Sequence, residues 1–208
     1  MEYNESIESR LDGTLDRVGA IFEGLQARKE ELATRSQRRA QAALEPGQVV
    51  PSWGRDQIVT DDCMEEFKGA RTAAAEELRG VFASLAQGLD GRMAQPPAAA
   101  DLAAVQASLG RSNLTLRELQ ALRDHYEDSY QLTRLIDEAA WQRFHVAIGG
   151  ASESALADNA EAACERAVGM LYSGTSPRVA RSQALYDLMG GRMSARDQLY
   201  YLFGADAE

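Results

Sequence analysis

Residues 11–32 read LDGTLDRVGAIFEGLQARKEEL, and their spacing predicts the first structural element. Apolar side chains recur every seven residues and also fill the positions between them on the same side: Leu11, Leu15, Val18, Ile21, Phe22, Leu25 and Leu32. A stripe of this kind, sustained for about three to four heptads, is typical of a helix with one apolar face. The helix is expected to end near Leu44, because a proline and a glycine follow.

A second helical pattern occupies residues 61–91. It begins at a pair of aspartates, which are good N-cap residues, and its apolar residues follow at spacings of three and four until Gly91. Between the two helices, residues 45–60 contain two prolines and two glycines, and their apolar side chains predict a connector that packs over a hydrophobic surface. Residues 1–95 are therefore predicted to form a long antiparallel helical hairpin.

Residues 96–208 change to shorter helical patterns separated by glycines and prolines. Thr115 and Glu118 have the spacing of a capping box, Ser176 precedes a proline as an N-cap does, and Ser194 begins the last pattern. None of these segments alternates as a strand does. The chain is therefore predicted to be all-α, with the hairpin as an arm and a compact bundle of five to six short helices after it.

The charge of the chain disfavours binding to nucleic acid. Its 208 residues include 22 basic and 32 acidic ones, which give a net charge of −10. Nucleic-acid phosphates require basic patches. A cluster of Arg35, Arg38 and Arg39 could contact a phosphate or an acidic partner, although such a cluster is also typical of a solvated helix end. A nucleic-acid-binding regulator is therefore only a third hypothesis.

The sequence contains no recognisable targeting segment. Its first residues, MEYNE, are acidic, whereas a secretory signal begins with basic residues and continues with an apolar run. No apolar stretch approaches the length of a membrane span. The two cysteines, Cys63 and Cys164, are expected to be free structural thiols, as suits a reducing compartment. We expect a protein of the cytoplasm of the producing cell or of a virion, with no membrane contact.

Residues that could perform catalysis or bind a metal are scattered. His125 and His145 are the two histidines, and neither has the ligand spacing of a zinc site. Ser129 follows His125 by one helical turn and is not part of a nucleophile elbow. Adjacent acids such as Glu65 and Glu66 stand in the first turns of a helix, where the dipole favours them. We therefore predict no catalytic residue, no metal and no cofactor, and a protein that is not an enzyme.

An enzyme or a small-ligand-binding protein is the second hypothesis. Its pocket would lie among the C-terminal helices, lined by aromatic and histidine side chains: Trp141, His145, Tyr126, Tyr130, Tyr172, Tyr186, Tyr200 and Tyr201. Aromatic residues at helical spacing more often belong to a core. A deep polar pocket with converging titratable groups would favour this hypothesis.

The segment from Leu122 to Ile136 reads LRDHYEDSYQLTRLI. It resembles a pattern, roughly L-R-D-x-Y-x-x-x-Y-x-x-x-R-x-I, in small helical proteins encoded among the structural genes of tailed bacteriophages and prophages. The plan of the chain, an acidic helical protein with a coiled-coil-like front, is also similar to capsid scaffolding proteins. The resemblance implies a role in particle assembly.

The leading hypothesis is thus a non-enzymatic helical interaction protein that forms a homo-oligomer, most simply a dimer. The N-terminal stripe is its candidate interface: Leu11, Leu15, Val18, Ile21, Phe22, Leu25 and Leu32. An arm of about 40 residues spans about 60 Å, which is long for a small bundle to cover. The same stripe could instead pack on the second helix of its own chain, and the sequence leaves both arrangements open.

Overall fold

The computed structural model, which describes residues 7–148 and 153–191, consists of helices and their connections. The helices follow in the order α1 (Ile7–Ala42), α2 (Asp61–Ala94), α3 (Ala99–Leu109), α4 (Leu116–His125), α5 (Tyr130–Phe144), α6 (Glu153–Ser173) and α7 (Pro177–Leu188). No residue in the described ranges belongs to a β-strand. This confirms the all-α prediction, while the pattern that begins at Ser194 lies outside the described residues.

Helices α1 and α2 form the predicted antiparallel hairpin. At one end of the pair, Arg10 of α1 lies beside Gly88 of α2. At the other end, Arg39 of α1 forms an ion pair with Asp62 of α2. The C-terminal residues of each helix therefore lie beside the N-terminal residues of the other, as in an antiparallel helix pair.

Helix α2 ends three residues later than the sequence predicts. Gly91 costs about 1 kcal/mol relative to alanine inside a helix, yet the helix continues to Ala94. The following turn contains Arg92, a buried side chain whose Nη2 lies 3.7 Å from a carboxylate oxygen of Glu153 in α6. The local sequence pattern around Gly91 does not predict this tertiary contact. The helix ends just before Pro96, because proline restricts the preceding residue to an extended conformation.

Helices α6 and α7 return to the hairpin and complete a four-helix bundle. Arg79 of α2 lies near Glu165 of α6, and Arg92 near Glu153, so α6 runs antiparallel to α2. α7 turns back from α6 and packs on α1. A single apolar core joins the four helices, and its fully buried side chains include Leu15, Val18, Leu78, Phe82, Leu89, Leu156 and Leu188.

The short helices after residue 96 therefore separate into two groups. The sequence placed them all in one C-terminal bundle, but α6 and α7 belong to the bundle of the hairpin. Helices α3–α5 form an insert between the second and third helices of that bundle, with a core of their own: Val105, Leu114, Leu119, Leu132, Ile136 and Ala140. Periodicity shows that a helix has an apolar face but not what covers it. A domain boundary at residues 95 and 96 stays a prediction.

Polar contacts close the helix ends of the insert. Thr115 and Glu118 form the predicted capping box, in which the Thr115 amide donates to the Glu118 carboxylate at 2.8 Å and the Glu118 amide donates to the Thr115 hydroxyl. At the end of α3, the guanidinium of Arg143 donates to the carbonyls of Leu109 and Arg111. Because the Leu109 carbonyl at the end of α3 has no partner within its helix, the arginine of α5 acts as a C-terminal cap.

The stripe predicted as an interface between copies packs inside one chain. Its buried members are Leu15, Val18, Ile21, Phe22 and Leu32. The other two, Leu11 and Leu25, are partly buried against the same cores. α2 and α7 flank α1 on two sides and together cover its apolar face. The apolar surface of these seven residues is thus covered within one chain, which is the second of the two arrangements that the sequence leaves open.

The connector divides into an exposed half and a packed half. Residues 54–60 lie back on α1, where the side-chain amide of Gln37 donates to the carbonyls of Gly54 and Gln57 at 2.8 and 2.9 Å. Ile58 is buried there, as predicted for the connector, whereas residues 45–52 are all exposed. The packed half completes a small core at the far end of the hairpin, formed by Leu32, Ala33, Ile58, Cys63 and Phe67.

The position of Val18 allows a test of the monomer core. We expect Val18→Asp to lower the free energy of unfolding by at least about 3 kcal/mol, because it removes a buried apolar side chain and buries a charge. Urea denaturation followed by circular dichroism measures this loss. Ala27→Asp, at an exposed position of the same helix, is the matched control and should change stability little. Equal stability of the two variants would contradict the assignment of the stripe to the core.

The capping box predicts a dependence on pH. The backbone amide and the hydroxyl of Thr115 lower the pKa of Glu118, with Arg111 adding to the effect. A carboxyl whose pKa is lower in the folded state adds stability above its ordinary pKa, and that stability is lost as the pH falls through the lowered value. Glu118→Gln retains the capping geometry but cannot ionise. The wild type should be more stable than this variant at neutral pH, and the difference should vanish in acid.

Urea titrations at several pH values measure that difference. Glu161→Gln, at an exposed position of α6 outside any cap, is the control and should follow the wild type throughout. A gap between the wild type and Glu118→Gln that persists in acid would show that the Glu118 charge is not its cause.

Candidate functional site

Exposed apolar side chains gather at two places in the described part of the chain. One is the tip, formed by Val49 and Val50 in the connector, which are 87% and 48% exposed. The other is the insert patch, formed by Trp141, Phe144 and Val146 at the end of α5, where Trp141 is 58% exposed. The connector joins α1 to α2 at one end of the bundle, and the insert leaves α2 at the other end. The two apolar surfaces therefore lie toward opposite ends.

The geometry of the insert patch follows from the end of α5. His145 adopts a left-handed conformation with φ 53°, and its amide donates to the carbonyl of Trp141 at 2.9 Å, which terminates the helix. The rings of Trp141 and His145 meet edge to face with their centroids 6.1 Å apart. Arg143 on the same turn reaches to the end of α3 instead. The indole is thus fixed by local contacts while much of its surface stays open to solvent.

Two arginines of the predicted cluster on α1, Arg35 and Arg39, pair with carboxylates of α2, whereas Arg38 is exposed. Arg28 and Arg35 both pair with Glu66, and Arg39 pairs with Asp62. The neighbouring Thr60 hydroxyl lowers the pKa of Asp62, with the charge of Arg39 contributing less. These contacts hold the two helices of the hairpin together on their exposed side.

The aromatic residues predicted to line one pocket lie in separate places. Trp141 and His145 belong to the insert patch, Tyr126 borders α4, Tyr172 stands at the end of α6, and Tyr186 lies against Gly191. Tyr130 begins α5 and is half-buried. Tyr200 and Tyr201 fall outside the described residues. The described members therefore do not converge on a common cavity.

A small polar pocket lies where the insert joins the bundle. It has a volume of about 210 Å³, and its lining includes Arg92, Asp101, His125 and Asp128. Arg92 is 5% exposed, and its Nη2 donates to the carbonyl of Glu127 at 3.3 Å. The guanidinium is thus directed to the chain segment between α4 and α5. We assign it a structural role at this junction, since it joins α2, α6 and the insert.

A larger groove, which the sequence analysis missed, borders the turn between α6 and α7. Its volume is about 560 Å³, and Arg71 of α2 lies on its wall between the rings of Phe67 and Tyr172. The pair Phe67 and Arg71 is spaced by one helical turn, so half of this arrangement could have been read from the sequence. Tyr172 comes from α6, and only the tertiary structure brings it to the arginine.

Three further findings concern metal binding, membrane spans and similarity to known proteins. They do not bring three potential metal-binding His, Cys, Asp or Glu side chains together. None of the described helices combines the length and the apolar character that crossing a bilayer requires. No protein-family model, curated protein or solved structure matches this chain. Its function must therefore be inferred from its own surfaces.

Both cysteines are buried free thiols, as the sequence predicts. Burial raises the pKa of Cys164, and the neighbouring Glu165 carboxylate adds to this shift. Because the thiolate is the reactive form, Cys164 in the folded protein should be alkylated by iodoacetamide much more slowly than in urea at neutral pH. Peptide mapping by mass spectrometry measures the modified fraction. Equal rates in the folded and the unfolded protein would contradict the burial of this thiol.

Proposed function

We propose that the protein is a non-enzymatic helical interaction protein that joins protein partners in an assembly. The observation that supports this most is the insert patch, in which Trp141 and Phe144 are exposed side by side at the end of one helix. Large apolar side chains that remain open to water in a folded chain often mark a protein interface. Tryptophan is enriched among the residues that dominate binding energy there.

Self-association is the form of this function that we propose first. Because the stripe of α1 packs inside the monomer, we place the interface of the homo-oligomer on another surface. The insert patch is suited to a two-fold contact, in which the same surface of each copy meets the other and Trp141 packs on Val146 of the second copy. A dimer of this kind would leave the tip at the opposite end of each bundle available for another partner.

The shape of the molecule is consistent with a bridging role. α1 has 36 residues, which at about 1.5 Å per residue span about 54 Å. The tip and the insert patch lie toward opposite ends of this length. An assembly protein that contacts neighbours at both ends can set the distance between them, and this is the mechanical role that we propose for the bundle.

The resemblance of residues 122–136 to phage proteins concerns the same region. This segment contains the end of α4 and the first part of α5, and Leu132 and Ile136 belong to the core of the insert. The helix that presents Trp141 is therefore built on the resembling segment. We propose on this basis that the assembly is a phage particle or its precursor, and that the protein acts in the cytoplasm of the producing cell or in the virion.

The proposal predicts the effect of removing the insert patch. The double change Trp141→Ser and Phe144→Ser should convert a dimer of the wild type into a monomer, because loss of one interface hot spot costs about 2 kcal/mol or more, equivalent to about thirtyfold in affinity. Size-exclusion chromatography with light scattering gives the mass. Circular dichroism shows whether the variant retains its helices.

Val179→Ser is the matched control, since Val179 is an exposed apolar residue on α7, away from the insert patch. It should leave the mass of the dimer unchanged. A monomeric wild type at high concentration would refute self-association. A dimer that survives the double change in a folded variant would refute the placement of the interface at the insert patch.

A further inference from the structure

The groove beside the α6–α7 turn has the size and the lining of a ligand site. Its volume of about 560 Å³ falls within the range of small-molecule sites, about 300–1,000 Å³. The lining of the groove combines apolar and basic side chains. Its apolar residues include Phe22, Leu25 and Met170, and its basic residues are Lys29, Arg55 and Arg71.

Arg71 is fixed in this groove by two aromatic rings. Its guanidinium carbon lies 4.7 Å from the ring centroid of Phe67 and 4.9 Å from that of Tyr172. The rings come from α2 and α6, so the guanidinium joins the two helices. Stacking covers the faces of a guanidinium and leaves its N–H donors directed outward in its plane.

The stacked arginine has no acid to neutralise it within the described ranges. No described carboxylate oxygen lies within 4.0 Å of its nitrogens, and its buried Nε has no hydrogen-bond partner. A guanidinium remains charged at any ordinary pH, and its planar donors match the two oxygens of a carboxylate or phosphate. The Arg71 guanidinium is therefore a preoriented hydrogen-bond donor for an anion, and no described carboxylate accepts from it.

The charges around Arg71 also favour the binding of an anion. Lys29 is occupied by Asp56, at 2.6 Å, whereas Arg55 on the same lining has no described carboxylate within 4.0 Å. The lining thus holds three cations, Lys29, Arg55 and Arg71, against the carboxylates of Glu30 and Asp56. This local excess of positive charge occurs in a chain with a net charge of −10. A local field of this sign attracts anions to the groove.

We propose that this groove binds a small organic anion in which a carboxylate or a phosphate is attached to an apolar body. The anionic group lies in the plane of the Arg71 guanidinium and accepts hydrogen bonds from its terminal nitrogens, within reach of Arg55. The apolar body lies on Phe22 and Leu25. The site uses neither the tip nor the insert patch, so it stands independently of the interaction function proposed above.

Four probes test the chemistry of the ligand on the full chain. Phenyl phosphate and phenylacetate contain both the anion and the apolar body, benzyl alcohol lacks the anion, and inorganic phosphate lacks the apolar body. Chemical shifts of backbone amides report where each probe binds. At least one of the two aromatic anions should shift amides around the groove in a saturable way at millimolar concentration. Benzyl alcohol and inorganic phosphate should bind at least about tenfold more weakly.

The preference between phenyl phosphate and phenylacetate identifies the anionic group, and either preference supports the proposal. Absence of a saturable shift with both aromatic anions would overturn it. Binding of benzyl alcohol as tight as that of the anions would overturn it as well, because the arginine would then contribute nothing.

Variants of the arginine test its role. Arg71→Lys keeps the charge but loses the planar fork, and it should weaken binding of the preferred anion about tenfold. Arg79→Met, on the same helix but outside the groove lining, is the control and should bind as the wild type does. Because the stacked Arg71 also joins α2 to α6, circular dichroism is recorded for each variant.

Arg55→Met provides a second test that leaves the stacked arrangement intact. Arg55 is exposed in the connector. Its replacement should therefore leave the fold unchanged and weaken binding of the preferred anion several-fold. Unchanged affinity in a folded Arg71→Lys variant would refute the site. If that variant does not fold, unchanged affinity in Arg55→Met would refute it instead.

Discussion

The burial of the α1 stripe against α2 and α7 is the constraint that positions the other surfaces. Leu15 and Val18 have no solvent exposure, and burying one such side chain stabilises the fold by about 1.5–3 kcal/mol. Once this apolar face of α1 is buried, Arg28, Arg35 and Arg39 on the exposed side of the helix pair with carboxylates of α2. The connector then lies at the end of the hairpin. The return of α6 and α7 to the same core brings Tyr172 to Arg71.

Much of the fold could be predicted from the sequence because helical periodicity is a local property. The capping box at Thr115 and the antiparallel hairpin both depend on neighbours along the chain or on two adjacent apolar patterns, and both are present. Contacts between helices that are distant in sequence determine two other features. These are the extension of α2 past Gly91 and the choice of helices that cover the apolar stripe of α1. An apolar face requires cover, but its sequence does not say whether a helix of the same chain or of a second copy supplies it.

The candidate sites were less accessible to sequence analysis for the same reason. Val49 and Ile58 are similar side chains in one connector, yet one is exposed and the other is buried, because only the second half of the connector lies on α1. The sequence offers Trp141 for a pocket under the second hypothesis or for a core, whereas its side chain is 58% exposed on the surface. The groove depends on Arg71 and Tyr172, which belong to helices that the sequence placed in different units.

The insert also determines when the bundle can close during synthesis. Helices α1 and α2 are complete at residue 94, but the last residue of α7 is 188, and translation of the intervening chain takes about 5 to 20 seconds. Throughout this time the faces of α2 that α6 will cover have no intramolecular partner, while α3–α5 can already form their own local core. The nascent hairpin therefore presents an apolar surface to chaperones and to other nascent chains before that surface becomes the interior of the protein.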